Sequence, residues 1–459
     1  MKTRRSTRRP AAAPHTGPRV CFYFQVHQPY RLRDLRITDI GQMELNYFDD
    51  ASNRAIFRKV AEKCYLPANQ VFLDILRAHP DWRIAYSLSG VFMEQCEAYG
   101  PDVLASFKEL AKTGQVEFLA ETSQHSLSGL ASPREFCEQV TKQVQMIQKH
   151  FGQTPTVFRN TELIYSNELA HMVRLMGFRG MLAEGVDRLL NGRPATQPYV
   201  PPRFRLPHAM QRTITTHRPL AKPARDLQVL LKHYRLSDDV AFRFSDRNWI
   251  GFPLTADQFA QWLSENSGHS VNLFMDYETF GEHQWAASGI FDFLRALPNA
   301  FARHGLRTAT PSQVIDSWQG HSEVLDAHEH VSWADSERDL SAWLGNDIQR
   351  AALHSLYELE SAVRERGDAA SLQAWRRLQT SDHLYYMCTK YWADGDVHKY
   401  FSPYDSPYEA YRRFSHALCD LRAHLARPTT NALEVHIRKA VVTPRKKPAA
   451  RSRSTRSPH

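Results

Sequence analysis

From residue 20 to about 320 the chain alternates short apolar runs with longer stretches whose apolar positions recur every three or four residues. The runs 20–26, 83–88, 116–119, 156–158, 180–182, 240–244 and 271–274 read as strands. Between them, 54–64, 102–113, 133–150, 167–176, 256–264 and 289–303 carry the helical period. Ser132 before Pro133 predicts an N-cap with proline at the first helical position, and Gly177 predicts a C-cap. Strand and helix in alternation predict an α/β fold with a parallel sheet, open or closed into a barrel.

Two segments depart from this rhythm. Residues 185–238, rich in proline and arginine, predict a loop excursion over one end of the sheet, where binding surfaces tend to sit. From 339 to 426 the pattern turns helical in three blocks, which predicts a C-terminal helical region. No internal repeat is present.

Composition narrows the classes. The chain has 459 residues, 42% hydrophobic and 23% charged, as expected of a soluble globular protein large enough for two or three domains or one large barrel with additions. No apolar run approaches the roughly 18 residues of a membrane helix. The basic start has no apolar segment behind it, so a cytoplasmic location is expected. The six cysteines lie far apart without a C-x-x-C pair and predict buried thiols. The net charge of +9 invites a nucleic-acid reading, but residues 1–19 and 436–459 hold fourteen cations and no acid, leaving −5 for residues 20–435. The body is acidic, and nucleic acid could be met only weakly through tails expected to be disordered.

In a parallel α/β fold, ligands bind beyond the carboxyl ends of the strands. Polar residues there are His27 and Gln28 after the first run, and Glu117, Glu121 and His125 around the third. The fourth run is followed by Arg159, Asn160 and Glu162, and the last by Asp276, Glu278, Glu282 and His283. The segment opening the helical region adds Trp333, Asp335, Asp339 and Trp343. Acids flanked by aromatic side chains suit glycoside chemistry, which needs a carboxylate nucleophile and a carboxylic acid. Despite 22 histidines and an HEH at 328–330, no H-E-x-x-H or paired-cysteine spacing supports a metal. Nor is there a G-x-G-x-x-G, a P-loop or a G-x-S-x-G, so neither a nucleotide cofactor nor the serine-hydrolase route is expected.

Five strings in order, VHQPYRL, GQVEFLAETSQHSL, FRNTELIY, NLFMDYETFGEHQW and WADSERDLSAWLGN, resemble the conserved regions of glycoside hydrolase family 57, α-amylase branch. The resemblance implies a distorted seven-stranded (β/α) barrel over 20–320, completed by a helical region over 321–428. It implies retaining chemistry on α-1,4-glucans such as glycogen, starch or maltodextrin, with no metal or organic cofactor. Carried over residue by residue, Glu162 is the nucleophile and Asp276 the acid/base. His27, Glu117 and Glu278 match positions that contact the substrate or the catalytic pair, Asp339 is preferred over Asp335 as the acid of the fifth region, and Trp333 and Trp343 are either sugar platforms or core. Gln28, Glu121, His125, Arg159 and His283 complete the expected substrate-binding set. Arg159, with backbone or Asn160 donors, should favour a charged Glu162, and Glu278 should help keep Asp276 protonated. The same covalent intermediate would serve 4-α-glucanotransfer or branching, and a glucan-binding protein without turnover is the non-enzymatic alternative. The oligomeric state is left open.

Overall fold

In β1 (Arg19–Val26) every residue but the first is buried, the signature of a strand covered on both faces. The computed structural model describes residues 17–390 and 402–428, so the two basic tails fall outside the described residues except for 17–19. The remaining strands are β2 (Ile84–Leu88), β3 (Val116–Phe118), β4 (Val157–Arg159), β5 (Gly180–Glu184), β6 (Tyr199–Val200), β7 (Gln228–Lys232), β8 (Ser270–Asp276), β9 (Arg307–Thr308) and β10 (Glu323–Val324). Parallel pairing runs in the order β4-β5-β7-β8-β1-β2-β3. A parallel bridge between Ala120 and Phe158 joins the chain just past β3 to β4. Helices cover the outside, as parallel connections require.

The predicted caps form. Ser132 accepts from the Glu135 amide with Pro133 at the helix start, and Gly177 takes the left-handed conformation, φ 105°. One predicted strand does not form: 240–244 is the end of the helix Tyr234–Ala241 and the turn after it. Leu236 and Val240 are buried four residues apart, so helical packing outweighs the β-propensity of Val and Phe. The segment 185–238 is not only an excursion. It contains β7, whose Val229–Lys232 are buried in the middle of the sheet, and a helix, His208–His217, laid on the helices Pro133–Phe151 and Asn167–Met176.

The C-terminal blocks form helices that break at Leu359 and Leu378 rather than three continuous ones. Trp343, Leu356, Trp375, Phe414 and Leu421 share one buried cluster with Phe136, Phe158 and Met172 of the α/β part. On the last helix, Pro407–Ala426, Asp420 is buried and accepts from the Tyr47 hydroxyl at 3.0 Å and the Gly41 amide at 2.6 Å. Among the described residues no helix is long and apolar enough to cross a membrane, and no disulfide forms.

Candidate active site

The carboxyl ends of the parallel strands carry a ring of polar side chains in an otherwise apolar interior: Gln25, Ser87, Glu121, Arg159, Glu184, Lys232 and Asp276. Residues just past these ends complete it. Glu162 stands on a turn three residues after β4 with a left-handed backbone, φ 57°. Non-glycine residues are held in this conformation only where their surroundings impose it. Here the Glu162 carbonyl accepts from the Trp333 amide at 3.2 Å, and its carboxylate accepts from His125 Nε2 at 3.2 Å and from Trp333 Nε1 at 2.7 Å. Burial works against the Glu162 charge, but His125, Arg159 and the indole donor outweigh it and hold the carboxyl below its ordinary value.

His125, φ 50°, bridges two carboxylates, donating from Nδ1 to Glu121 at 3.0 Å and from Nε2 to Glu162. Burial alone would lower its pKa, yet the two carboxylates push it up to about 9. His125 stacks at 4.0 Å on His27. The His27 imidazole is lowered by burial first and then by the His125 charge, so it stays neutral beside a cation. Its Nε2 donates to Asp382 at 2.9 Å, which fixes the tautomer and leaves Nδ1 to accept from Ser89 at 2.7 Å. Asp382 belongs to the short helix Ser381–Tyr385, so the C-terminal region supplies a side chain to the cluster.

Asp276 ends β8. Burial and then the Glu162 charge raise its carboxyl to about 6, against Arg159, Lys232 and His125, which pull it down. Glu278, in the following turn, is raised to about 8 by burial and Asp276, and it accepts a short hydrogen bond from Tyr65. All three guanidinium nitrogens of fully buried Arg159 lack a hydrogen-bond partner among the described residues, and the group lies 4.9 Å from the Trp333 ring. Gln28 donates to the Tyr65 hydroxyl at 3.1 Å. His283 lies on the same turn, its imidazole lowered to about 4 by burial.

Several expectations change. Glu117 is near the start of β3, with its carboxylate taken up by the Ser312 amide (2.9 Å) and hydroxyl (2.5 Å). It lines a cavity of about 350 Å³ with Arg83, Gln115 and Thr156, which precede their strands, at the opposite end of the sheet from Glu162. Asp339 accepts from the Ser341 amide at 2.7 Å, at the start of the short helix Ser341–Leu344. Asp335 is the acid whose charge reaches Tyr385 together with that of Glu162. Trp343 is 1% exposed and belongs to the core, so it offers no sugar platform. Asn160 donates to the Ile164 carbonyl rather than to Glu162. Glu278, neutral below about pH 8, is not the anion acting on Asp276, a part taken by Glu162. Sequence reasoning missed Lys232 because β7 was read as loop. It missed Asp382 because no strand end announces it, although TSDHLYY is a polar turn inside a helical block.

The profile of Glycosyl hydrolase family 57 matches residues 21–326. A protein of Methanocaldococcus jannaschii named "Putative alpha-amylase" is 38% identical over 418 residues, which is 88% of this chain and 84% of that one. The solved GH57-type branching enzyme of Pyrococcus horikoshii superposes with TM-score 0.59 at 14% identity, covering 93% of this chain and 95% of that one. The 4-alpha-glucanotransferase of Thermococcus litoralis gives TM-score 0.52 at 16% identity over 86% of this chain, which spans 55% of that enzyme's length. At such identities the structural likeness speaks for the fold alone, whereas the profile and the archaeal relative reach across most of the sequence. The chain therefore belongs to glycosyl hydrolase family 57.

Proposed function

We propose that the protein is a retaining glycoside hydrolase acting on α-1,4-glucans, with Glu162 as nucleophile and Asp276 as acid/base. The observation that carries this reading is the opposite setting of two half-buried carboxyls, Glu162 held ionised and Asp276 raised to about 6. Ionised Glu162 attacks the anomeric carbon while the proton of Asp276 passes to the departing glycosidic oxygen, leaving a glycosyl ester on Glu162 and a carboxylate at Asp276. That carboxylate then takes a proton from water, whose oxygen displaces Glu162 from the sugar. The guanidinium of Arg159, fully buried, acts on the pair through its charge rather than by touching the sugar. His27, Gln28, Glu121, His125, Glu278, His283 and Trp333 form the remaining wall. The seven parallel strands and the Ala120–Phe158 bridge support a distorted (β/α)7 barrel completed by the C-terminal helices.

Because structural neighbours carry the names of a branching enzyme and a 4-alpha-glucanotransferase, a sugar hydroxyl in place of water is the second reading. Product analysis with a pure maltooligosaccharide and with amylose, beside Glu162→Gln, separates the cases. Hydrolysis gives new reducing ends and shortened chains, both absent in the variant. Longer and shorter chains without new reducing ends mean transfer. No change in either substrate leaves a glucan-binding protein.

A further inference from the structure

Lys232 ends β7 among buried polar groups, yet the acid/base scheme gives it no part. Its ammonium lies 3.1 Å from Asp238, 3.5 Å from Glu184 and 5.3 Å from the Trp333 ring. Glu184, fully buried at the end of β5 and in register with Lys232, also meets Arg338 at 3.0 Å. Arg338 sits on the loop that carries Trp333, stacked on Tyr234 at 4.1 Å. Arg188 donates to the carbonyls of Glu337 and Arg338, both at 2.9 Å. The Glu184 carboxylate thus ties the sheet, through Lys232, to the loop, through Arg338. Taking three charges out of water is a poor way to gain stability, because desolvation cancels most of their attraction. Such a group is better suited to fixing a geometry.

We propose that Lys232 is a positioning residue for the glycosidase reaction: with Glu184 and Arg338 it fixes Trp333 so that the indole N–H meets Glu162, and its charge faces Asp276. This rests on the hydrolase reading above. The charged groups acting on Asp276 are Glu162 and Arg159 from β4 and its turn, His125 from the turn after β3 and Lys232 from β7, with neutral Glu278 beside it on its own turn. Those facing Lys232 are Glu184, Asp238 and Arg338. Asp276 must hold a proton for the first step, so activity falls as pH rises through its pKa. Loss of the Lys232 cation raises that pKa and moves the alkaline limb upward.

The test uses the full chain carrying Lys232→Gln, which removes the cation while Glu184 keeps Arg338 as its partner, beside Lys232→Arg. Lys232→Met carries the same comparison should thermal melting show the glutamine variant unfolded. The expected result on a maltooligosaccharide is a kcat lowered about tenfold with KM little changed. The alkaline limb should rise by roughly half to one pH unit, and Lys232→Arg should restore both. The carboxyl carbon-13 resonance of Asp276, assigned with Asp276→Asn, should titrate higher in the charge-removing variant. That readout needs no turnover, so an inactive wild type would sink the hydrolase reading while leaving this one decidable. A lower kcat with an unmoved limb and unmoved Asp276 titration would overturn the role given to Lys232.

Discussion

At the scale of single residues, His125 does the most with one proton, since both of its nitrogens donate to carboxylates. Replacing it by glutamine removes the charge that keeps Glu162 ionised. The acid limb of kcat/KM should then move up by about one pH unit, narrowing the active range from below. Stability carries its own signature. Glu278 is raised from 4.5 to about 8, and His125 from 6.5 to about 9. Both bind protons more tightly folded than unfolded, so their contribution is fully present below the unfolded values and is lost as pH rises through the folded ones. The melting temperature should therefore fall between about pH 5 and 9, and Glu278→Gln should flatten the part below pH 8. Glu121, Glu162 and Asp276 could be collected from sequence because carboxylates just past buried strands have few other places to point. The pairing of Trp333 with Glu162 and of Asp382 with His27 could not, since these contacts reach over 171 and 355 residues respectively.

At the scale of elements, the helix Asp50–Val60 continues through a π-helical turn, Ala61–Tyr65, into Leu66–Ala78. Pro67 lacks the N–H that would bond to the Lys63 carbonyl, which accounts for the widened turn. That turn sets Tyr65 on Glu278, and the Lys63 carbonyl meets Gly281, whose φ is 117°. A Cβ on Gly281 would run into that oxygen. Gly281→Ala should cost about 1–3 kcal/mol in chemical denaturation and lower activity by displacing the turn that holds Glu278. Periodicity recovered the long amphipathic helices and six of the seven parallel strands because burial on one face or both leaves a repeating mark. It failed at β7, whose apolar run follows a stretch rich in proline and cations that imitates a loop, and at 240–244, where branched and aromatic residues imitate a strand.

At the scale of the molecule, the C-terminal helices are part of the core rather than an appendage. A chain stopped at residue 326 would expose Phe136, Phe158 and Met172 and lose the Asp382 partner of His27. It should be recovered only as aggregate, a result that sedimentation of the expressed fragment decides. One join between the strands is thin. β1 and β8 are held by seven registered pairs, whereas the join between the chain past β3 and β4 consists of one bridge, with Ala120 donating to Val157 at 3.0 Å and Arg159 to Ala120 at 2.8 Å. Glu121 stands on one lip of that join and Glu162 on the other, with the His125 imidazolium spanning them. The proton that readies the proposed nucleophile thus also acts as a rivet across this thin join. Amide exchange at Ala120 and Arg159, corrected for intrinsic rate, should accelerate as pH passes about 9, so that the enzyme loosens where it works.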